Sequence, residues 1–178
     1  MDIIIRKEEV KDYPVVFDVI QKAFENEEMS DYQEHFLVDK LRNADSFVPE
    51  LSLVAEVNGE IVGYVLLTEI DILNEATQFV NKSLALAPVA VLSNYQNQGI
   101  GSALIRASHD KARELGYKSV VVLGHADYYP KFGYKQADSF GISMPFEVPS
   151  DNSMALELCS NGLTGVNGMV IYPTAFFE

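Results

Sequence analysis

The sequence lacks the features that are typical of disulfide-rich, membrane-spanning and metal-binding proteins. Its single cysteine, Cys159, excludes an internal disulfide, so a reducing compartment, the cytoplasm, is expected. No apolar run is long enough to span a membrane, and residues 1–6 lack the basic region and cleavage site of a signal peptide. The three histidines and one cysteine show no metal-ligand spacing, so we expect neither a metal nor a membrane partner.

Positive charge is also scarce. The chain has 13 Lys and Arg against 26 Asp and Glu, which gives a formal charge of -13, and the basic residues form no cluster. Nucleic-acid phosphates would be repelled by such a surface, so a nucleic-acid partner is not expected. The acidity is compatible with a cationic amine substrate, although acidic surfaces usually serve solubility alone.

The length and hydrophobic content of the chain predict one globular domain over residues 1–178. At 178 residues and 48% hydrophobic content, it can bury a core without disulfides. Residues 160–178 carry short apolar runs between glycines and read as an extension. We expect it to pack on the domain, close a cleft or contribute to a dimer, so a monomer and a homodimer both stay open.

Two apolar runs, residues 84–92 and 120–123, have the pattern of strands buried on both faces. Between them, Ile100, Leu104 and Ala107 lie close to one helical stripe, and Gly116 is placed to end the helix. The sequence therefore predicts a strand, helix and strand in succession.

Residues 96–102, here called the glycine turn, join the first of these strands to the helix and read QNQGIGS. A helix start offers unpaired backbone N–H groups and the positive end of the helix dipole, and glycines allow close approach of an anion. The third glycine of the dinucleotide fingerprint and the Gly-Lys-Ser/Thr of a P-loop are both missing. We expect a phosphate or diphosphate ligand of another kind.

Two motifs resemble the signatures of the GNAT superfamily of acetyl-CoA-dependent N-acetyltransferases. Gln96-x-x-Gly99-x-Gly101 resembles the first, and Tyr129-x-x-x-Gly133-Tyr134 resembles the second. The resemblance implies a mixed α/β fold, with a twisted mixed sheet of about six to seven strands flanked by helices. It also implies transfer of an acetyl group from acetyl-CoA, the cosubstrate, to a small-molecule or peptide amine by direct attack in a ternary complex.

The same resemblance assigns residues to the coenzyme. The backbones of three strand residues would contact the pantetheine arm: Val89, Ala90 and Val91. The glycine turn would hold the diphosphate through Gln96, Asn97, Gln98, Gly99, Ile100, Gly101 and Ser102. Many family members carry Arg at one or more of the first three signature positions, whereas residues 96–98 are uncharged here. Electrostatic support for the phosphates must then come from the helix dipole or elsewhere.

The alternation of the first strand changes phase. Leu84 and Leu86 occupy even positions, Val89 and Val91 odd ones, and Ala87-Pro88 lies between them. A one-residue change of phase at a proline predicts a β-bulge or a break in pairing. In the GNAT fold such a bulge splays this strand from the next one, and the coenzyme enters the gap.

Tyr129 matches the tyrosine that many GNAT enzymes use as a general acid. Attack of an amine on a thioester forms an oxyanion and expels a thiolate, and a phenol that is protonated at neutral pH can supply the proton. Candidates for the acceptor side are Glu69 as a base, His125 and Tyr128. Solvation of Glu69 near a strand end and a structural hydrogen bond for His125 are the alternatives. Cys159 as an acyl carrier is disfavoured, because direct transfer needs no such residue.

Several further predictions concern the framework. Asn58-Gly59 predicts a type I′ hairpin, and residues 74–83 read as a polar connection. His35 and His109 are predicted at the surface. A non-catalytic module that binds acetyl-CoA for regulation is the main alternative function, and an unrelated phosphate-binding protein is the second. The sequence leaves open the amine acceptor and the general base.

Overall fold

The computed structural model describes all residues, 1–178, and contains one nine-stranded mixed sheet flanked by three α-helices. The strands are β1 Ile3–Lys7, β2 Ser52–Val57, β3 Glu60–Asn74, β4 Phe79–Val91, β5 Ser119–Leu123, β6 Lys135–Gln136, β7 Ile142–Ser143, β8 Ser153–Glu157 and β9 Gly168–Ile171. The helices are α1 Tyr13–Phe24, α2 Glu34–Arg42 and α3 Ile100–Glu114, with short 3₁₀ helices between elements. The main path of the sheet is β1-β2-β3-β4-β5-β8-β6, while β9 pairs with both β3 and β7. The fold class predicted from the sequence is confirmed.

The helices cover the two faces of the sheet. On one face, α1 and α2 bury Val16, Ile20, Val38 and Leu41 against Val54, Tyr64, Leu66 and Ala90. On the other face, α3 buries Ile100 and Leu104 against β2 and β3. The spacing of these apolar residues along each helix produces the single buried stripe that such packing requires.

The β2–β3 hairpin turns at Asn58 and Gly59, whose φ angles are 53° and 81°. Both are positive, as the predicted type I′ turn requires. The predicted polar connection was too long, because Asn74 pairs with Phe79 and only residues 75–78 form the turn. Side chains at the start of β4 are mostly exposed, the apolar Phe79 and Val80 included, so no buried stripe marked the strand in the sequence.

The predicted bulge in β4 is confirmed. Val65 pairs with Val89 and Leu67 with Leu86, so one extra residue is inserted into β4 around Ala87-Pro88. Pro88 has no N–H to give to a ladder, which makes it suited to this position. Because of the extra residue, Val89 packs on the α3 side of the sheet together with Leu84 and Leu86.

Beyond the bulge, β4 and β5 separate. Only Leu84–Val120 and Ala85–Val121 pair in this parallel ladder, although both strands continue past these residues. The far edge of β5 is paired with β8 along its whole length. The space between β4 and β5 after Ala85 and Val121 is here called the strand gap.

The last twenty residues are part of the packed structure. β9 pairs with the later half of β3, from Asp71 to Leu73, where β2 no longer does so. Ala175 is buried in the cluster formed by α1 and α2. None of the helices is both long and apolar enough to cross a lipid bilayer.

Substitutions at Gly63 test how closely the start of α3 packs on the sheet. A Cβ at this position would lie 3.0 Å from Leu104 Cδ1 and 3.2 Å from Ile100 Cγ2. We expect Gly63→Val to lower the free energy of unfolding by roughly 1–3 kcal/mol, since the larger side chain would push α3 outward. Urea denaturation measures the change. Gly63→Ala is the matched control and should cost clearly less, so equal stability of wild type and Gly63→Val would contradict this packing.

Candidate active site

The glycine turn presents a run of free backbone donors. The N–H groups of residues 97–102 have no acceptor within the chain, and the first N–H that bonds is that of Ala103, to the Gly99 carbonyl at 3.0 Å. Asn97 and Gly99 both have positive φ, at 62° and 86°, and Gly99 is the N-cap of α3. A left-handed residue at this point turns successive N–H groups toward one side, which is the geometry of an anion site.

The edge of β4 that faces the strand gap carries further backbone groups without strand partners. The Leu92 N–H donates to the Val62 carbonyl of β3 at 2.9 Å. Since backbone groups alternate along a strand, the N–H groups of Val89 and Val91 point to the opposite side, into the gap. The Val91 carbonyl accepts a bond from Gln96 Nε2 at 3.1 Å. Gln96, predicted to contact the coenzyme, thus has a structural partner in its own chain.

Tyr129 begins the 3₁₀ helix Tyr129–Phe132 and is 9% exposed. It belongs to the core cluster that contains Leu84, Leu86 and Val122, the residues around the point where β4 and β5 separate. Its ring lies on Gly124, where a Cβ would come within 2.2 Å of a ring carbon. Only glycine therefore fits at position 124 while the tyrosine keeps this place.

The hydroxyl of Tyr129 is available for chemistry. It makes no hydrogen bond within the chain and is not among the fully buried polar atoms that lack a partner, so the oxygen still reaches solvent. Burial, with a smaller effect of Tyr128, raises the pKa of Tyr129 above its ordinary value of 10. The phenol is therefore protonated throughout the neutral range and can donate a proton.

A buried hydrogen bond connects α3 to the segment that carries Tyr129. His109 Nε2 and the Tyr134 hydroxyl lie 2.8 Å apart, and the rings of Tyr134 and Tyr129 meet edge to face at 5.6 Å. The prediction that His109 is at the surface was wrong, because it is 3% exposed. Its helical spacing from buried Ile105 and Ala112 was the signal that could have revealed this. His35 was also predicted at the surface and is buried.

The acceptor-side candidates do not come together. Glu69 lies beside Leu84, where its carboxylate accepts a bond from the Tyr117 hydroxyl at 2.9 Å. His125 follows the end of β5 and is exposed, with Nε2 3.9 Å from Glu27 Oε1. Leu84 pairs with Val120, so Glu69 lies level with the start of β5, whereas His125 follows its end. The two residues therefore lie near opposite ends of this strand.

Tyr128, which we predicted on the acceptor side, contacts the glycine turn. Its hydroxyl is 3.1 Å from the Cβ position of Gly101. After β5 the chain passes through Gly124 to the 3₁₀ helix, and Tyr128, the residue before that helix, contacts the start of α3. Sequence spacing could not reveal this, because the contact joins residues 27 positions apart.

Together these groups offer donors for an anion at one end of the strand gap and a proton donor at the other. The gap itself has an unpaired strand edge, to which an extended, amide-containing ligand can bond as an added strand. The arrangement suits a long ligand with an anionic end and a reactive group near Tyr129.

Known proteins resemble this chain in sequence. The model of the acetyltransferase (GNAT) family matches residues 13–134. The uncharacterized N-acetyltransferase YhbS of Escherichia coli strain K12 is 31% identical over 174 residues, which cover 97% of this chain and 98% of YhbS. A second uncharacterized N-acetyltransferase of that strain, YjhQ, is 37% identical over 117 residues, and the match covers 65% of this chain and 64% of YjhQ.

Two solved structures extend the likeness to the fold. The crystal structure of Escherichia coli YhbS in complex with CoA superposes with a TM-score of 0.87 at 28% identity, covering 99% of this chain and 92% of that one. A GNAT family acetyltransferase from Brucella melitensis, in complex with acetyl-CoA, gives a TM-score of 0.78 at 29% identity and covers 98% of both chains.

Because His109 is buried, we expect it to lower the free energy of unfolding in acid. Burial, and then the charges of Arg113 and Arg106, lower its pKa from 6.5 to about 4. The unfolded chain therefore takes up this proton near pH 6.5 and the folded chain only near pH 4, so stability falls as the pH falls through that window. Between pH 7 and pH 4, this one group should cost about 3 kcal/mol.

The measurement compares urea unfolding of wild type and His109→Gln at pH 7 and pH 4.5. Glutamine can still bond to Tyr134 but does not titrate, so the variant should lose about 2 kcal/mol less than wild type over this range. Equal losses in the two proteins would show that His109 is not held neutral by burial.

Proposed function

Because the chain belongs to the acetyltransferase (GNAT) family, we propose that it transfers the acetyl group of acetyl-CoA to a primary amine. The enzyme class predicted from the sequence, an acetyl-CoA-dependent acyltransferase, is confirmed by that membership. In the proposed reaction the amine attacks the thioester directly while both substrates are bound. Product release then frees the acetylated amine and CoA.

The observation that carries this proposal is the strand gap with its two ends. Free amides of residues 97–102 lie at one end, and the unpartnered hydroxyl of Tyr129 lies at the other. The N–H groups of Val89 and Val91 line the gap between them. A coenzyme with its diphosphate on the glycine turn would extend its pantetheine arm along β4 toward Tyr129. The complexes of the two relatives with CoA and acetyl-CoA support this placement.

The chemistry needs little beyond these groups. Holding the thioester and the amine together removes much of the entropic barrier, and strand N–H groups are suited to stabilise the tetrahedral oxyanion. When the C–S bond breaks, the Tyr129 hydroxyl donates its proton to the departing sulfur. A thiol pKa of roughly 8.5, by analogy with cysteine, means that this proton gives moderate rather than decisive help.

The amine loses one proton as it attacks, and Glu69 and His125 are the two candidates to receive it. His125 lies just beyond β5, with Nε2 3.9 Å from Glu27 Oε1. The carboxylate of Glu69 is already bonded to Tyr117. Glu27 lies between α1 and α2 in an acidic segment, which favours approach of a cationic amine.

A non-catalytic module that holds acetyl-CoA for regulation is the alternative. It predicts binding of acetyl-CoA without release of thiol over a broad panel of amines. The free, protonated Tyr129 hydroxyl favours the enzyme, because a module that only binds the coenzyme needs no proton donor there. A thiol-release assay with acetyl-CoA over such a panel separates the two. Thiol release that depends on an added amine, with an acetylated product of matching mass, supports the transferase.

Tyr129→Phe tests the proton donor. The variant keeps the ring and its packing on Gly124 but loses the hydroxyl, so kcat should fall about 100-fold, at the low end for general acid catalysis. The dissociation constant for acetyl-CoA should change less than about threefold, since the hydroxyl acts on the leaving group.

Tyr13→Phe is the matched control. Tyr13 starts α1, and Phe retains the ring that contacts Arg42. This variant should keep the wild-type kcat. An unchanged kcat for Tyr129→Phe at saturating acetyl-CoA would remove Tyr129 from the acid role.

A further inference from the structure

Two basic residues near the glycine turn lack carboxylate partners. In this acidic chain, seven of the 13 Lys and Arg side chains form salt bridges with Asp or Glu: Arg6, Lys7, Lys11, Arg42, Lys82, Lys111 and Arg113. Lys131 and Arg106 form none. Their charges instead lie over aromatic rings, with Lys131 Nζ 4.0 Å from the centroid of Tyr128 and Arg106 Cζ 4.9 Å from that of Phe132. The ammonium is also 5.2 Å from Phe132, so both cations share one aromatic cluster.

This aromatic cluster adjoins the glycine turn. The Tyr128 hydroxyl lies 3.1 Å from the Cβ position of Gly101 and has no hydrogen-bond partner within the chain. Lys131 is over the face of the same ring, and a cation–π contact holds a charge in place without neutralising it. An ammonium, a phenol and the free amides of residues 97–102 therefore converge on one region, and all of them can donate hydrogen bonds.

Arg106 approaches from α3. It follows Ser102 by four residues, so the two side chains lie on the same side of the helix. Long helical side chains point back toward the N-terminus, which directs this guanidinium toward the glycine turn. Its contact with Phe132 places it beside the segment that carries Lys131.

We infer that Tyr128, Lys131 and Arg106 bind the diphosphate of the coenzyme and supply the positive charge that residues 96–98 lack. The inference rests on the proposed function, since it assigns further contacts to the same coenzyme. Charge-assisted bonds from Lys131 and Arg106 would reach the phosphate oxygens from outside the turn, while the turn itself contributes only neutral amides. Tyr128 is thereby a coenzyme-binding residue and not an acceptor-side one.

The test is isothermal titration of acetyl-CoA into wild type and single variants at low and at high salt. Lys131→Gln and Arg106→Gln should each weaken binding about tenfold at low salt, and less at 0.5 M salt, where charge is screened. Tyr128→Phe keeps the ring for Lys131 and should weaken binding about threefold through the lost hydroxyl alone. Lys135→Gln, on exposed β6, removes an equal charge and is the control, with wild-type affinity expected.

Dephospho-CoA, used as a second ligand, shows which phosphate group of the coenzyme Lys131 contacts. Dephospho-CoA lacks the 3′-phosphate but keeps the diphosphate, so Lys131→Gln should weaken its binding by the same factor as that of CoA. A loss confined to CoA would overturn the diphosphate assignment, because it would place Lys131 on the 3′-phosphate. Thermal unfolding should be unchanged in Lys131→Gln, and a large drop would show that the residue acts through stability.

Failure of this inference can be told from failure of the proposed function. If wild type binds acetyl-CoA and all three variants bind it equally well, the additional contacts are wrong and the transferase proposal stands. If wild type does not bind acetyl-CoA even at millimolar concentration, the proposed function itself fails. In kinetics, the three variants should raise KM for acetyl-CoA and leave kcat unchanged, whereas a change in kcat alone would contradict a role in binding.

Discussion

The break in pairing between β4 and β5 is the constraint on which the rest of the structure depends. An extra residue at Ala87-Pro88 separates β4 from its parallel neighbour after only two ladder pairs. The strand beyond the bulge stays paired with β3 on one side, so its other edge presents backbone groups that need a partner. The same extra residue places Val89 on the face that packs toward α3. An opening for a ligand and a continuous core are thus obtained from one insertion.

Helix α3 links the two ends of this opening. Its first turn carries the free amides, and its buried His109 bonds to Tyr134, which packs against Tyr129. The glycine turn and Tyr129 are therefore fixed to one helix and to the sheet beneath it. Such fixed geometry favours a ligand of defined length, because both of its ends must be met at once. The glycine turn and the tyrosine motif lie on either side of β5 in the sequence, as such a ligand would require.

Local sequence patterns predicted the features that are encoded locally. Asn58-Gly59 gave the hairpin, the change of phase between Leu86 and Val89 gave the bulge, and the glycine turn gave the start of α3. The first half of β4 escaped prediction because its exposed side chains depend on backbone pairing alone. The bond of Glu69 to Tyr117 and the position of Tyr128 over Gly101 also escaped, since both depend on tertiary contacts. The motifs identified the family, while the placement of the side chains around the candidate site required the structure.

Amide hydrogen exchange, with and without acetyl-CoA, tests the central claim most directly. If the coenzyme occupies the strand gap, exchange should slow at residues 97–102 and at Val89 and Val91, whose N–H groups point into the gap. The amides of β1 and β2, which are distant from the gap, should exchange at unchanged rates. Protection confined to other parts of the chain, with residues 97–102 still exchanging freely, would contradict the account.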